Sequence, residues 1–182
     1  KLTLGPIPFH WPAERKLDFY ARIADEAPLD TVYLGEMLCS KRTPFFDEHI
    51  PDVAGRLQSA GKRVVLSSLA EVMLPRERQM TAQLCAEPGF EIEANDGAAL
   101  HHLAGKPHRI GPMMNVYNER TLDYLARRGA NHVTLPVELP GRSAAITATR
   151  PSPCDTSRRC SARSARGTGP SRSIANRWPS TS

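Results

Sequence analysis

The four cysteines, Cys39, Cys85, Cys154 and Cys160, include no Cys-x-x-Cys pair, which excludes a disulfide framework and a metal knuckle built from one short segment. No apolar run approaches the roughly 18 residues of a membrane span, so no membrane span is expected. There is no secretory leader pattern, and a reducing, cytoplasmic location is the expectation. Gly-x-Ser-x-Gly, the P-loop and His-Glu-x-x-His are all missing, which removes the common hydrolase and nucleotide-binding signatures. The glycines at 5, 35, 61, 89, 97 and 105 punctuate turns and do not group into a phosphate cradle.

A second scarcity divides the chain. From Arg150 to Ser182 there is no Leu, Val, Phe, Met or Tyr, and Ser, Arg, Pro and Gly supply 21 of the 33 residues. Ordering entropy there is not offset by burial, so residues 150–182 are expected to be a disordered basic tail. Seven arginines against the single acid Asp155 give that segment +6 of the formal total of +5. Residues 1–149 carry 17 basic and 18 acidic side chains, a net of −1. The basic balance therefore belongs to the tail, and nucleic acid is not an expected partner of the first 149 residues. The abrupt change near Thr149 suggests that the tail is an out-of-frame or truncated replacement for a further folded portion.

Periodicity in residues 1–149 alternates between two signals. Strands are expected at Leu2–Ile7, Thr31–Leu34, Arg63–Leu69, Phe90–Ala94, Arg109–Asn115 and His132–Glu138. Helices are expected at Ala13–Glu26, Phe45–Ala60, Pro75–Ala86, Asp96–Ala104 and Asn118–Arg128. In the first helix Leu17, Tyr20, Ala21 and Ala24 form the inward face, and in the third Met80, Leu84 and Cys85 do. Six strands alternating with five helices predict an α/β fold with parallel strands, an incomplete TIM-like (β/α) barrel. Closure takes eight strands and about 250 residues.

Ligands of such folds gather at the carboxyl ends of the strands. There the sequence places Phe9-His10-Trp11, Glu36, Ser67-Ser68, Glu93-Ala94-Asn95, Asn115, Tyr117, Asn118 and Glu138. Three carboxylates, Glu36, Glu93 and Glu138, converging on one mouth could hold a polar ligand or tune a proton transfer; equally, they could satisfy backbone donors where loops begin. Cys39 is the leading functional residue. It follows the second strand in Gly35-Glu36-Met37-Leu38-Cys39-Ser40-Lys41-Arg42, among cations that favour a thiolate. Cys85 lies in the apolar register of a helix and reads as core. His101, His102 and His108 lack zinc-motif spacing and read as surface helix and loop residues.

Several segments, taken together, resemble one family. They are Leu4-Gly5-Pro6 with Trp11-Pro12, Val32-Tyr33-Leu34-Gly35-Glu36 with Cys39-Ser40-Lys41-Arg42, Val65-Leu66-Ser67-Ser68-Leu69-Ala70, Ile92-Glu93-Ala94-Asn95-Asp96, Asn115-Val116-Tyr117-Asn118 and Pro136-Val137-Glu138-Leu139. Across residues 1–148 this order resembles the ubiquinone-biosynthesis branch of the collagenase-like peptidase family. The resemblance implies a barrel-like iron-sulfur protein with a 4Fe-4S cluster on four cysteines. It further implies a heterodimer with a UbiU-like protein, acting in oxygen-independent hydroxylation of a ubiquinone precursor with prephenate as oxygen source. Cys39 matches the first ligand. The other three fall in the family's carboxyl-terminal part, where this chain offers only Cys160-Ser161-Ala162-Arg163 and lacks the Cys-x-x-x-Cys pair. The resemblance leaves three alternatives: a collagenase-like peptidase, a relative that modifies RNA, against which the net charge of −1 over residues 1–149 counts, and an inactive truncated fragment.

Overall fold

The computed structural model describes residues 2–140. Six strands form one sheet in chain order: β1 (Thr3–Leu4), β2 (Thr31–Leu34), β3 (Arg63–Ser67), β4 (Glu91–Ala94), β5 (His108–Ile110) and β6 (Ala130–Val133). Every neighbouring pair is parallel, and the sheet curls into a half-barrel of the TIM type. The crossovers carry α1 (Ala13–Glu26), α2 (Ile50–Ser59), α3 (Pro75–Leu84), α4 (Gly97–His102) and α5 (Glu119–Arg127). The expected α/β architecture is thus observed. The disordered-tail expectation for 150–182 lies outside the described residues.

Local chemistry explains where the helices begin. The Asp96 carboxylate accepts from the amides of Ala98 and Ala99, and the Asn118 side chain accepts from Thr121, which satisfies donors that a first helical turn leaves open. α1 ends at Ala27, held in extended backbone by the Pro28 that follows.

The convex side of the sheet holds the apolar core. Val32, Leu34, Val64, Leu66, Ile92, Ala94, Ile110 and Val133 pack against Phe19, Tyr20, Ile23, Leu57, Leu103 and Leu125 from the helices. Each large apolar side chain buried there contributes about 2 kcal/mol. The inward stripe of α1 is Lys16, Phe19, Tyr20, Ile23 and Ala24, with Leu17 and Ala21 only half-buried, so the expected face is rotated. In α3 the buried positions are Glu77 and Thr81, followed by Cys85, and Met80 and Leu84 are half-buried. The expectation followed hydrophobicity, whereas that helix turns two polar residues inward: Glu77 bonds the Ser40 loop, and the Thr81 hydroxyl is buried without a partner among the described residues.

The other face of the sheet is polar. Strand alternation turns Tyr33, Val65, Glu91, Glu93 and Arg109 away from the helices, to the concave side. Arg109 of β5 bonds Glu91 of β4 through Nε at 2.5 Å and donates from Nη1 to the Tyr33 hydroxyl of β2 at 2.9 Å. Its guanidinium also lies 5.6 Å from the Tyr33 ring centroid. One side chain thereby spans four strands, crossing above Val65, which is fully buried.

Several boundaries differ from expectation. β1 stops at Leu4, because Pro6 and Pro8 cannot donate to a ladder. The helix expected from Phe45 is preceded by two 3-10 turns, Ser40–Phe45 and Asp47–His49, and the α-helix starts only at Ile50. β5 closes at Ile110, where Gly111 and Pro112 open a 3-10 turn over Pro112–Met114. β6 begins two residues early and ends at Val133, so Pro136, Val137 and Glu138 lie in the loop beyond it.

Replacing Arg109 with Met leaves Glu91 without its closest cation and Tyr33 without its donor, and is expected to lower unfolding free energy by about 3 kcal/mol. Tyr33→Phe removes a single hydrogen bond, at about 1 kcal/mol. Urea denaturation of both variants checks the ranking, which reverses if the concave bridge is unimportant.

Candidate functional site

The loop from Gly35 to Phe46 carries Cys39. Gly35 adopts φ +115°, and a Cβ there would come within 2.9 Å of the Ser67 carbonyl oxygen, so glycine alone lets the chain leave β2 this close to β3. Glu36 then folds back on its own loop, its Oε1 accepting from the amides of Leu38 at 2.9 Å and Cys39 at 3.1 Å. Cys39 is extended, half-buried and free, and its carbonyl accepts from the amide of Arg42 to start the 3-10 turn.

The next residue anchors the loop to α3. Ser40 is buried and donates to Glu77 Oε1 at 2.5 Å, while Arg76 Nη2 approaches the same hydroxyl at 3.2 Å. The other carboxylate oxygen of Glu77 accepts from the amides of Met73 and Leu74, both at 2.9 Å. The Leu74 amide first, then the Ser40 hydroxyl and the Met73 amide, hold the Glu77 carboxyl down to about 2. Sequence reasoning passed over Glu77, although Pro75 at the first helical position with Glu77 two residues later is a recognisable helix-start pattern.

The two cations beside the cysteine do not act alike. Lys41 is exposed, and Arg42 turns toward the first strand's loop, donating from Nη1 to the Pro8 carbonyl at 3.1 Å.

The three carboxylates expected at one mouth are held separately. Glu93 is 2% exposed on the concave face, where its Oε2 accepts from Ser67 Oγ at 2.7 Å and Asn95 Nδ2 at 3.1 Å. Burial raises its pKa, against the lowering effect of those two bonds and of Arg109. Glu138 is exposed and bonded to the Tyr117 hydroxyl. Glu36 serves its own loop. Asn95 is fixed further by Ser68, whose hydroxyl accepts from the Asn95 amide at 2.9 Å. Its Oδ1 would lie 1.9 Å from a Cβ at position 111, so only glycine fits there. Asn115 and Asn118 frame the short turn before α5: Asn115 adopts the left-handed conformation at φ 52° and Asn118 caps the helix. Of the aromatic loop, Phe9 stacks on Trp11 with centroids 5.9 Å apart, and His10 meets Phe45 edge-on.

Cys85 packs in the core, its thiol facing the Ala99 carbonyl at 3.9 Å, and burial pushes it up to about 11. It belongs to the helix layer and not to the Cys39 loop. His101 and His102 are exposed, as expected. His108 is not: it is fully buried in β5, with Nδ1 at 2.7 Å from the Lys106 carbonyl, and burial lowers its pKa. Its strand begins one residue before the expected boundary, which draws the ring inside. Cys154 and Cys160 lie outside the described residues. Among the described residues no three His, Cys, Asp or Glu side chains gather into a metal-sized group, so those residues offer a cluster one thiolate at most. Nor does any described helix have the length and apolarity to cross a membrane.

No family model matches the chain. No solved structure matches it either.

Two titrations follow from these environments. The depressed Glu77 carboxyl adds stability that is complete above its ordinary value of 4.5 and is lost as pH falls toward about 2. Relative to Glu77→Gln, the wild type is therefore expected to lose stability over that window, and parallel acid-unfolding curves would refute it. Glu93 has the opposite sign: its raised pKa makes the ionised form a cost that grows as pH rises through the folded value. Glu93→Gln keeps an acceptor for Ser67 and Asn95, and is expected to melt at or above the wild-type temperature at neutral pH, whereas Glu93→Ala melts below it.

Proposed function

We propose that this chain carries the amino-terminal β/α units of a UbiV-like iron-sulfur protein, with Cys39 as one thiolate ligand of a 4Fe-4S cluster. In this reading it acts with a UbiU-like partner as a heterodimer in oxygen-independent hydroxylation of a ubiquinone precursor, in the cytoplasm. The observation that carries it is the setting of Cys39: a free, half-buried thiol on the loop that leaves β2, at the strand end where α/β folds bind ligands. The six motifs behind the family resemblance support the same reading.

The described residues do not fit a complete cluster site by themselves, because they bring one thiol to this loop. Their contribution is positional. Glu36 orders the backbone on one side of Cys39 and the Ser40–Glu77 bond orders it on the other, so the sulfur is presented from a braced turn. A ligand held this way loses little conformational freedom when it binds metal.

Anaerobic reconstitution with ferrous iron and sulfide of the complete protein, residues 1–148 joined to the family's carboxyl-terminal part with its three further cysteines, tests the reading. The expected result is sulfide-to-iron charge-transfer absorbance in the wild type and its loss in Cys39→Ser. Equal iron and sulfide content in the two proteins would overturn the assignment.

A further inference from the structure

The same loop also borders a cleft whose lining does not include Cys39. This cleft, between the start of α1 and the turn after Cys39, is lined by Lys16, Glu36, Arg42, Thr43 and Phe46, with room at its centre for roughly one water molecule. Lys16 is only 7% exposed, and its ammonium has neither a hydrogen-bond nor an ion-pair partner among the described residues. Its Nζ lies 5.0 Å from the centroid of the Phe46 ring. Burial pulls its pKa below the ordinary lysine value, Glu36 opposing and Arg42 adding to that shift.

The stem of Lys16 is removed from water while its ammonium, which is not among the fully enclosed unpartnered polar atoms, keeps access to solvent at the cleft. Neighbouring acids do not pair with it directly. Glu36 commits Oε1 to two backbone amides, and Asp47 is exposed, outside ion-pair reach of Lys16. Arg42 spends Nη1 on the Pro8 carbonyl, which leaves donors on its other nitrogens, and the half-buried Thr43 adds a hydroxyl to the lining. Two cations and a hydroxyl around a space this small match the donors that a compact oxyanion accepts.

We propose that the cleft of Lys16, Arg42 and Thr43, at the carboxyl ends of β1 and β2, binds the oxyanion group of a small ligand, a carboxylate or a phosphate. The site is distinct from the thiol of Cys39 and does not rest on iron-sulfur chemistry. The two acids on its walls restrict it to one small anionic group and disfavour polyanions such as nucleic acid.

The test is titration calorimetry of the whole chain with sodium acetate and with sodium phosphate, against sodium chloride at matched ionic strength. Saturable one-site binding of acetate or phosphate, absent with chloride, is expected, and whichever anion binds identifies the oxyanion class. Lys16→Met keeps the aliphatic stem and is expected to weaken binding at least roughly tenfold; Arg42→Gln does the same, and Lys16→Arg restores it. Circular dichroism confirms that each variant is folded. Equal responses to all three salts, or wild-type affinity in folded Lys16→Met and Arg42→Gln, would overturn the proposal; wild-type affinity in Arg42→Gln alone would confine it to Lys16.

Discussion

A half-barrel presents a difficulty that a closed barrel does not: its concave face has no opposite wall to fill it. In this protein the Arg109 side chain answers that constraint. From β5 it reaches the Tyr33 hydroxyl on β2 while held by Glu91 on β4, so a charged bridge crosses the curl where a closed barrel stacks branched apolar side chains. Guanidinium is suited to the task because its planar donors serve a carboxylate and a phenol at once. On the same face Glu93 accepts from Ser67 and from the Asn95 Nδ2, while the Asn95 Oδ1 is buried without a partner among the described residues. The bridge ties β2, β4 and β5 together across the concave side of the curl.

Two layers of different chemistry result. The convex layer is held by apolar area, which is insensitive to orientation, and the concave layer by hydrogen bonds, which are not. The glycines at 35 and 111 stand at the junction, where the backbone of one strand end meets the carbonyl or amide of the next. The site loop takes its geometry from both layers. Its start is fixed by the close approach of Gly35 to β3, and its far end is pinned by the aromatic packing of Phe46 against Tyr20.

The architecture was largely legible in the sequence because it is written in short-range patterns. α1 and β2 have the expected limits, since Pro12, Pro28 and the run Thr31-Val32-Tyr33-Leu34 act within a few residues of themselves. What the pattern could not carry was side-chain direction over long separations. The bond from Arg109 to Tyr33 joins residues 76 apart, and that from Ser40 to Glu77 joins residues 37 apart. Position along the chain makes Glu93 a rim carboxylate and His108 a loop imidazole, yet both are buried, Glu93 on the concave face beside Arg109 and His108 on the other face of β5, whose strand starts at that residue. Lys16 was hidden for a related reason: a lysine in an amphipathic helix reads as solvated, and only the three-dimensional fold draws it against Phe46.

The Ser40–Glu77 contact makes the position of one sulfur atom a property of two crossovers. Glu77 is at once the brace of the cysteine loop and the cap of α3, so the helix cannot shift along its axis without carrying the loop with it. Transplanting the β2 loop onto another scaffold would therefore deliver the thiol to the wrong place unless the opening turn of α3 travelled with it.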